Sequence, residues 1–402
     1  MKKIAIIGAG ISGLYIANLF KNSLNYEITI YEKNDTINLE DGYGIQLSVN
    51  SVKLLNKIGF NKLSDNEKFN PEKIDFFSIN SSNKICDLDI TNFNTDDIKY
   101  TTLKRSTLIN FLKKDLGDII KTGFKISKIN DQEKQIKISF ENNVTKECDY
   151  LIIADGVFSK SKNLISHNKV KPKYNDTLAI RGKLTKFPEN VNKKNVALFL
   201  GPNFHHVIYP LNSNGDLNFI AIMKHSLSLE EQGNYSLFSE NSFIKRILEK
   251  VPQEIKEFVT GIKELKIFPV FVSDEFLKIQ NNNIHLIGDA FFAFPPSFAQ
   301  GASQSIESAY ELFMSLNTDK EVNFFKKRVN KLKMVNFRSK FNLFAFHLSN
   351  PLIIFFRNIL LKRLVKNKKF LEYYLGRIYK TWLLDISLCL KWSIGTMLPL
   401  RL

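Results

Sequence analysis

The sequence predicts an α/β protein: a parallel sheet with helices on its faces, an antiparallel sheet inserted into it, and a helical C-terminal region. Three observations predict this. The chain opens on an apolar run that ends in a glycine-rich turn, MKKIAIIGAGISGLYIANLF; strands and helices then alternate; and from about 179 to 272 the pattern shifts to alternating strands such as VALFL, HHVIYPL and LNFIAIM. The expected division is 1–178, with a small excursion at about 70–100 toward the inserted sheet, then 179–272 for that sheet, 273–320 for the returning α/β part and 321–402 for the C-terminal helices.

The first element is a short buried strand over Ile4 to Ile7. Gly8, Gly10 and Gly13 follow at GxGxxG spacing, with Ser12 inside the turn. The first glycine permits a tight turn, the second lets a pyrophosphate approach the backbone, and the third lets the following helix pack close to the strand. Free amides at that helix start would receive the phosphates. EITIYEK reads as a second strand ending in Glu32 and Lys33; Glu32 stands 22 residues after Gly10, where a Rossmann-like fold places its ribose-binding acid. A secretory signal also begins with basic and then apolar residues, but no small-residue cleavage site precedes the second strand.

With 44% hydrophobic and 24% charged residues, the 402-residue chain has the composition of a folded protein. Its net charge of +17 comes from lysines scattered among asparagines and isoleucines, which reads as a solvated basic surface and not as a nucleic-acid site. Cys86, Cys148 and Cys389 form no CxxC pair, so neither a disulfide framework nor a zinc site is expected, and a reducing, cytoplasmic setting fits.

Three segments carry a resemblance. HLIGDAFFAFPPSFAQGASQSIESAYEL near residue 290, LIIADGVFSKSK and the opening GAGISG together resemble the signature of FAD-dependent aromatic-ring monooxygenases, the group A flavoprotein hydroxylases of the salicylate hydroxylase and para-hydroxybenzoate hydroxylase type. DGYGIQLSVNSVKLLNKIGF, LKRSTLINFL, LAIRGKL and HHVIYPLNSNGDLNFIA are similar to further family segments in the same order, so the resemblance reaches about residue 380. It implies a Rossmann-like FAD-binding domain that contacts FAD through Gly8, Gly10, Ser12, Gly13, Glu32, Lys33, Arg105, Asp155, Gly156, Asp289, Gln300, Gly301 and Ala302. Asp289 would meet a ribityl hydroxyl, and the helix start at Gln300 to Ala302 would favour negative charge on the reduced ring.

No second GxGxxG occurs, which speaks against a separate nicotinamide domain, and the resemblance implies that NADH or NADPH visits the single FAD domain transiently. The implied reaction passes one oxygen atom of O2, carried as a flavin hydroperoxide, to an electron-rich ring. Pro296 aligns with a proline near the reacting edge of the flavin, and Gln46 and Arg181 fall near the substrate by resemblance, Arg181 suiting a substrate carboxylate. His205, His206 and Tyr209 share one strand, whose alternation points His206 away from the other two.

Four positions depart from the family pattern: Phe292 for a histidine, Ala299 for a glycine, Ser308 for the acid after Glu307, and Lys162 for an arginine. A flavin reductase, a halogenase or a non-catalytic flavoprotein remain alternatives on the same fold. In the C-terminal stretch FRSKFNLFAFHLSNPLIIFFRNILLKRLVKNKKFLEYYLGRIYK, Asn350, Pro351 and Arg357 interrupt the apolar run and divide it into two helices at Pro351. Their apolar faces are expected to pack on the catalytic part; the alternative is a basic amphipathic surface peripheral at the inner membrane face, suited to a lipophilic substrate. CLKWSIGTMLPLRL is assigned no role.

Overall fold

A computed structural model describes residues 1–37, 43–81, 83–131, 135–166, 170–184, 187–189, 191–317 and 324–380; Cys389 and the stretch CLKWSIGTMLPLRL lie outside them. Five parallel strands form one sheet in the order β18 (Ile284–Leu286), β12 (Tyr150–Ile153), β1 (Lys2–Ile7), β2 (Tyr26–Tyr31) and β8 (Ile120–Lys121). Its centre is apolar on both faces, as parallel strands covered by helices must be: Ile4, Ile6, Leu151, Ile152 and Ile153 are all buried. Helix α1 (Ile11–Phe20) leaves β1 through the glycine turn and packs against α8 (Gly301–Asn317).

The second sheet has seven strands, in the order β17 (Lys263–Val272), β13 (Lys173–Leu184), β16 (Leu217–Lys224), β15 (Phe204–Pro210), β14 (Val196–Gly201), β5 (Lys73–Ser78) and β6 (Lys84–Asp89). All its neighbours are antiparallel except β14 and β5, which run parallel with Ile74 beside Val196. One face packs under α6 (Asn241–Leu248) and α7 (Gln253–Thr260), where Phe199, Phe204 and Phe219 join Phe243, Ile247 and Val259 in one core. The other face lines a cavity. A small sheet, β3 (Gly44–Leu47), β7 (Thr101–Lys104) and β4 (Lys68–Phe69), bridges the two large ones, and the Gly44 amide donates to Asn218 Oδ1 at 2.6 Å.

Beyond α8, helix α9 (Phe324–Phe346) is held by a buried polar network. Arg328 donates to Glu311 Oε2 at 3.2 Å and to Gln304 Oε1 at 3.0 Å, and Lys331 pairs with Glu307 at 3.2 Å. The chain turns at Asn350, whose side chain caps α10 (Pro351–Leu364) by accepting from the Leu352 and Ile353 amides. No described helix is long and apolar enough to cross a membrane. The expectation that the apolar faces of these helices pack on the catalytic part holds for α9 and in part for α10, where Leu361 and Val365 pack against the cluster of Phe76, Ile85 and Leu88. Helix α9 buries Leu332 and Val335 against the protein, but α10 buries no residue, and Leu352, Phe355 and Phe356 point into solvent.

Candidate active site

A single cavity of about 1290 Å³ is walled by both large sheets and by α9 and α10. Ordinary ligand pockets hold about 300–1000 Å³, so this one has room for more than one small molecule.

At the parallel-sheet end the glycine turn is packed to the limit. Gly8 has φ +105°, and a Cβ on it would stand 2.7 Å from the Ala154 carbonyl oxygen; a Cβ on Gly13 would overlap the carbonyl oxygen of Gly8. A Cβ on Gly10 would meet nothing, because this residue borders the cavity. No side chain caps α1, so its first-turn amides stay open for an anion. Glu32 accepts from the Ala9 amide at 2.9 Å and the Asn34 amide at 3.1 Å, which fixes its carboxylate at the cavity wall beside Lys33.

Asp155 Oδ2 accepts from the Ser161 amide and hydroxyl, while its buried Oδ1 has no partner among the described residues. Gly156, Arg105, Asp289, Gly301 and Ala302 line the same space. Asp289 is exposed to the cavity, and the protein around that cavity desolvates its carboxyl and pushes it up to about 6.

Three of the expected contacts do not reach the cavity. Ser12 and Gly13 lie behind the turn, with the Ser12 hydroxyl packed so close to Gly288 that a Cβ there would come within 2.6 Å of it. Gln300 is buried and donates to Ser48 Oγ at 3.2 Å, tying the start of α8 to the end of β3 instead of facing the cavity.

Packing accounts for the departures from the family pattern. Phe292 stacks on Phe276 with centroids 4.1 Å apart, so this position serves the core. Ser308 accepts from the Gly288 amide at 3.0 Å, and Glu307 holds Asn50, Gln304 and Lys331. Lys162 is buried, and desolvation lowers its pKa. Ala299 has φ +51° and ψ +32°, a left-handed conformation that glycine adopts without cost and alanine at roughly 1–2 kcal/mol. Ala299→Gly is therefore expected to raise stability by about 1 kcal/mol, read as a higher urea midpoint at unchanged slope; a lower midpoint would mean that the methyl group packs favourably.

At the other end, alternation along β15 divides its side chains as the sequence predicts. His205, Val207 and Tyr209 face the cavity. His206 faces the helices, stacked on Phe199 at 4.4 Å, where burial pushes its pKa down to about 3. It stands apart from the site. His205 Nδ1 lies 2.7 Å from Nε2 of His347, a partner 142 residues away that no local pattern announces. Burial lowers both histidines, with His347 pushed down to about 4 and adding to the depression of His205, so the pair is neutral at pH 7.

Arg181 is enclosed in the cavity wall with its guanidinium 5.7 Å from the centre of the Tyr43 ring. Burial lowers its pKa; Tyr209 and Tyr43 oppose that, and Arg105 adds to it. Among the described residues no carboxylate forms an ion pair with Arg181. Beside it, Gln46 Oε1 accepts from the Tyr100 hydroxyl at 2.7 Å, and burial raises the Tyr209 hydroxyl, with Arg181 and Gln46 pulling it back. Pro296 lines the cavity from the loop before α8.

Known proteins place this arrangement. The family described as FAD binding domain matches residues 1–319. The 3-amino-4-hydroxybenzoate 2-monooxygenase PtmB3 of Streptomyces platensis is 23% identical over 316 residues, which cover 77% of this chain and 78% of that protein. Salicylate hydroxylase of Pseudomonas putida is 22% identical over 344 residues, 77% of this chain and 75% of its own. Among solved structures, Klebsiella pneumoniae HpxO complexed with FAD and uric acid shares the fold with a TM-score of 0.77 at 15% identity, covering 90% of this chain and 93% of that one. With the family matched over most of its length, the chain belongs to the FAD-binding-domain family and is a flavin-dependent monooxygenase of it.

Proposed function

We propose that the protein uses NADH or NADPH and O2 to hydroxylate an aromatic ring that carries a phenolate or a carboxylate. The overall change is balanced: ring C–H, O2, NAD(P)H and a proton give ring C–OH, water and NAD(P)+. Arg181 carries this reading. An enclosed guanidinium without an ion-pair partner, in a wall otherwise rich in apolar side chains, calls for an anionic group on the ligand. The relatives named for 3-amino-4-hydroxybenzoate and salicylate act on ring acids, which agrees with it.

The residues present fit FAD. Gly8 and Gly13 let the turn pack tightly, Gly10 leaves its cavity side bare so that a pyrophosphate could approach the backbone at the start of α1, Glu32 would receive the ribose, and the partnerless Asp155 Oδ1 and the Asp289 carboxylate would accept hydroxyl or amide protons. The start of α8 at Gly301 and Ala302, with Pro296 before it, would border the ring. When bound, FAD supplies the two-electron chemistry by which the nicotinamide is oxidised and O2 activated.

Arg181 lowers the pKa of the bound phenol, whose deprotonated ring is the better nucleophile, and the proton is released to water as the substrate binds. Gln46 and Tyr209 orient the same end of the substrate, and the apolar wall of Leu198, Leu200, Val207 and Ile220 excludes water. His205, neutral and paired with His347, positions the substrate and does not take its proton. The protein works in the cytoplasm, and the open side of α10 favours peripheral contact with the inner membrane face.

The test is to load the purified protein with FAD, remove the excess and identify the bound flavin, then follow NAD(P)H and O2 consumption with a panel of hydroxybenzoates and phenols. One FAD per chain and ring-stimulated consumption with a hydroxylated product are expected. A protein that keeps no flavin, or one that no ring compound stimulates, would refute the reading.

A further inference from the structure

We propose that α9 and α10 seat the protein in the surface of an anionic bilayer, and that the gap between them admits a ring substrate with a long apolar chain directly from the acyl region. The substrate part rests on the hydroxylation reading above; the docking part does not.

The outward face of α10 up to Leu360 is apolar, and at the C-terminal end of α9 exposed phenylalanines stand among exposed lysines such as Lys333 and Lys340. Phe337 and Phe344 on α9 are 70% and 66% exposed, and Leu352, Phe355 and Phe356 on α10 are 70%, 58% and 66% exposed. Charge selects the occupant. Between Phe324 and Lys380 the only acid is Glu372, against fifteen lysines and arginines, and Lys362, Arg363, Lys366, Lys368 and Lys369 follow directly on the apolar face. A second copy of the chain would bring the same cations against these, which repel. An anionic bilayer offers acyl chains for the phenylalanines and negative headgroups for the basic rim. Helix α10 has 14 residues and is roughly 21 Å long, too short for a hydrocarbon layer of roughly 30 Å, so it lies in the plane of the interface.

The cavity opens on this face. Phe341 and Leu360 are 51% and 54% exposed and at the same time belong to the cavity wall, so they mark its mouth. Arg357 clasps the two helices beside it, donating to the Ala345 carbonyl at 2.9 Å. Inward from the mouth the wall continues through Leu361 and Leu364 toward Leu198 and Val207, and it includes Arg181 and Tyr209. A water-soluble ring acid needs no such vestibule. For an alkylated ring every methylene favours an apolar surrounding over water, so passage from bilayer to apolar cavity is nearly level, whereas passage through water is not.

The experiment floats the full-length FAD-loaded protein with phosphatidylcholine vesicles, with and without phosphatidylglycerol, at low and high salt. The protein should rise with the anionic vesicles at low salt. The double variant Phe355→Asp, Phe356→Asp should lower the bound fraction at least about tenfold, since it puts two carboxylates where acyl chains and anionic headgroups would lie, while FAD content stays unchanged. Para-dodecylphenol carried in anionic vesicles should stimulate NAD(P)H oxidation at least about tenfold more in the wild type than in the variant, and dissolved para-ethylphenol should stimulate both equally. Wild-type protein that remains at the bottom of the gradient overturns the docking. So does a wild-type dimer that the double variant splits, because a second copy then covers the face. Equal response of both proteins to para-dodecylphenol overturns delivery from the bilayer. Flotation without stimulation by either phenol refutes the alkylated phenol as substrate while the docking stands; hydroxylation itself falls only if the panel of hydroxybenzoates and phenols also fails to stimulate.

Discussion

In the Arg181→Ala protein, kcat/KM for a phenolic ring acid is expected to fall by about two to four orders of magnitude while FAD content is unchanged. The size follows from removing one member of an enclosed ion pair, which costs roughly 3–5 kcal/mol because the other charge is left desolvated. The pH profile separates this from a packing defect. With the guanidinium present, the pKa of the bound phenol falls by about 1–3 pH units, so the rate reaches its plateau that far below about pH 10 and is flat above it. Without it, the phenol returns toward its ordinary pKa of about 10, so the rate of the variant climbs with pH up to that value. Arg181→Lys keeps the charge but not the planar fork, and should recover the plateau at lower pH with a weakened KM. Loss of rate at unaltered pH dependence in the alanine variant would show that Arg181 only shapes the wall.

The second large effect belongs to the glycine turn. Gly13→Ala is expected to yield protein without FAD, destabilised by more than about 3 kcal/mol, because the new methyl group would occupy the position of the Gly8 carbonyl oxygen. Backbone meets backbone there, and no rotamer relieves it. The turn must open, which moves α1 from β1 and withdraws the first-turn amides from their shared position. Gly10→Ala is the control: its Cβ would meet no protein atom, so the fold should keep its stability and lose only flavin affinity. Retention of flavin by the Gly13 variant at wild-type stability would contradict the packing described for this turn.

Much of this site was legible because its chemistry is local. The glycine spacing, Glu32 at the end of β2 and Asp289 after β18 are each fixed by a strand, a turn and the few residues beyond it. The outward turn of His206 was legible too, since a strand has a period of two. Other parts depend on distant chain. His347 meets His205 only when the end of α9 reaches the inserted sheet, where the Asn203 amide donates to the His347 carbonyl at 3.2 Å. The left-handed backbone of Ala299 had no marker, because glycine, the residue that announces it, is absent. Gln300 reads as a flavin contact by position, yet its amide is committed to Ser48 on another element. The open side of α10 was illegible for a different reason: an apolar face carries the same pattern whether protein covers it or not.

The parallel pairing of β14 with β5 also dictates an order of events during synthesis. Ile74 must wait for Val196, 122 residues later in the chain, before its strand has a neighbour on that side. At roughly 5–20 residues per second, that is on the order of ten seconds. Through that interval Phe76 and Phe77, buried in the finished fold, sit on an unpaired edge. β1 likewise gains its partner β12 only at Tyr150, and β18 closes the sheet at Leu286. A nascent chain halted between these points carries sticky, half-built edges, so this protein should depend on holdase chaperones while it is still on the ribosome.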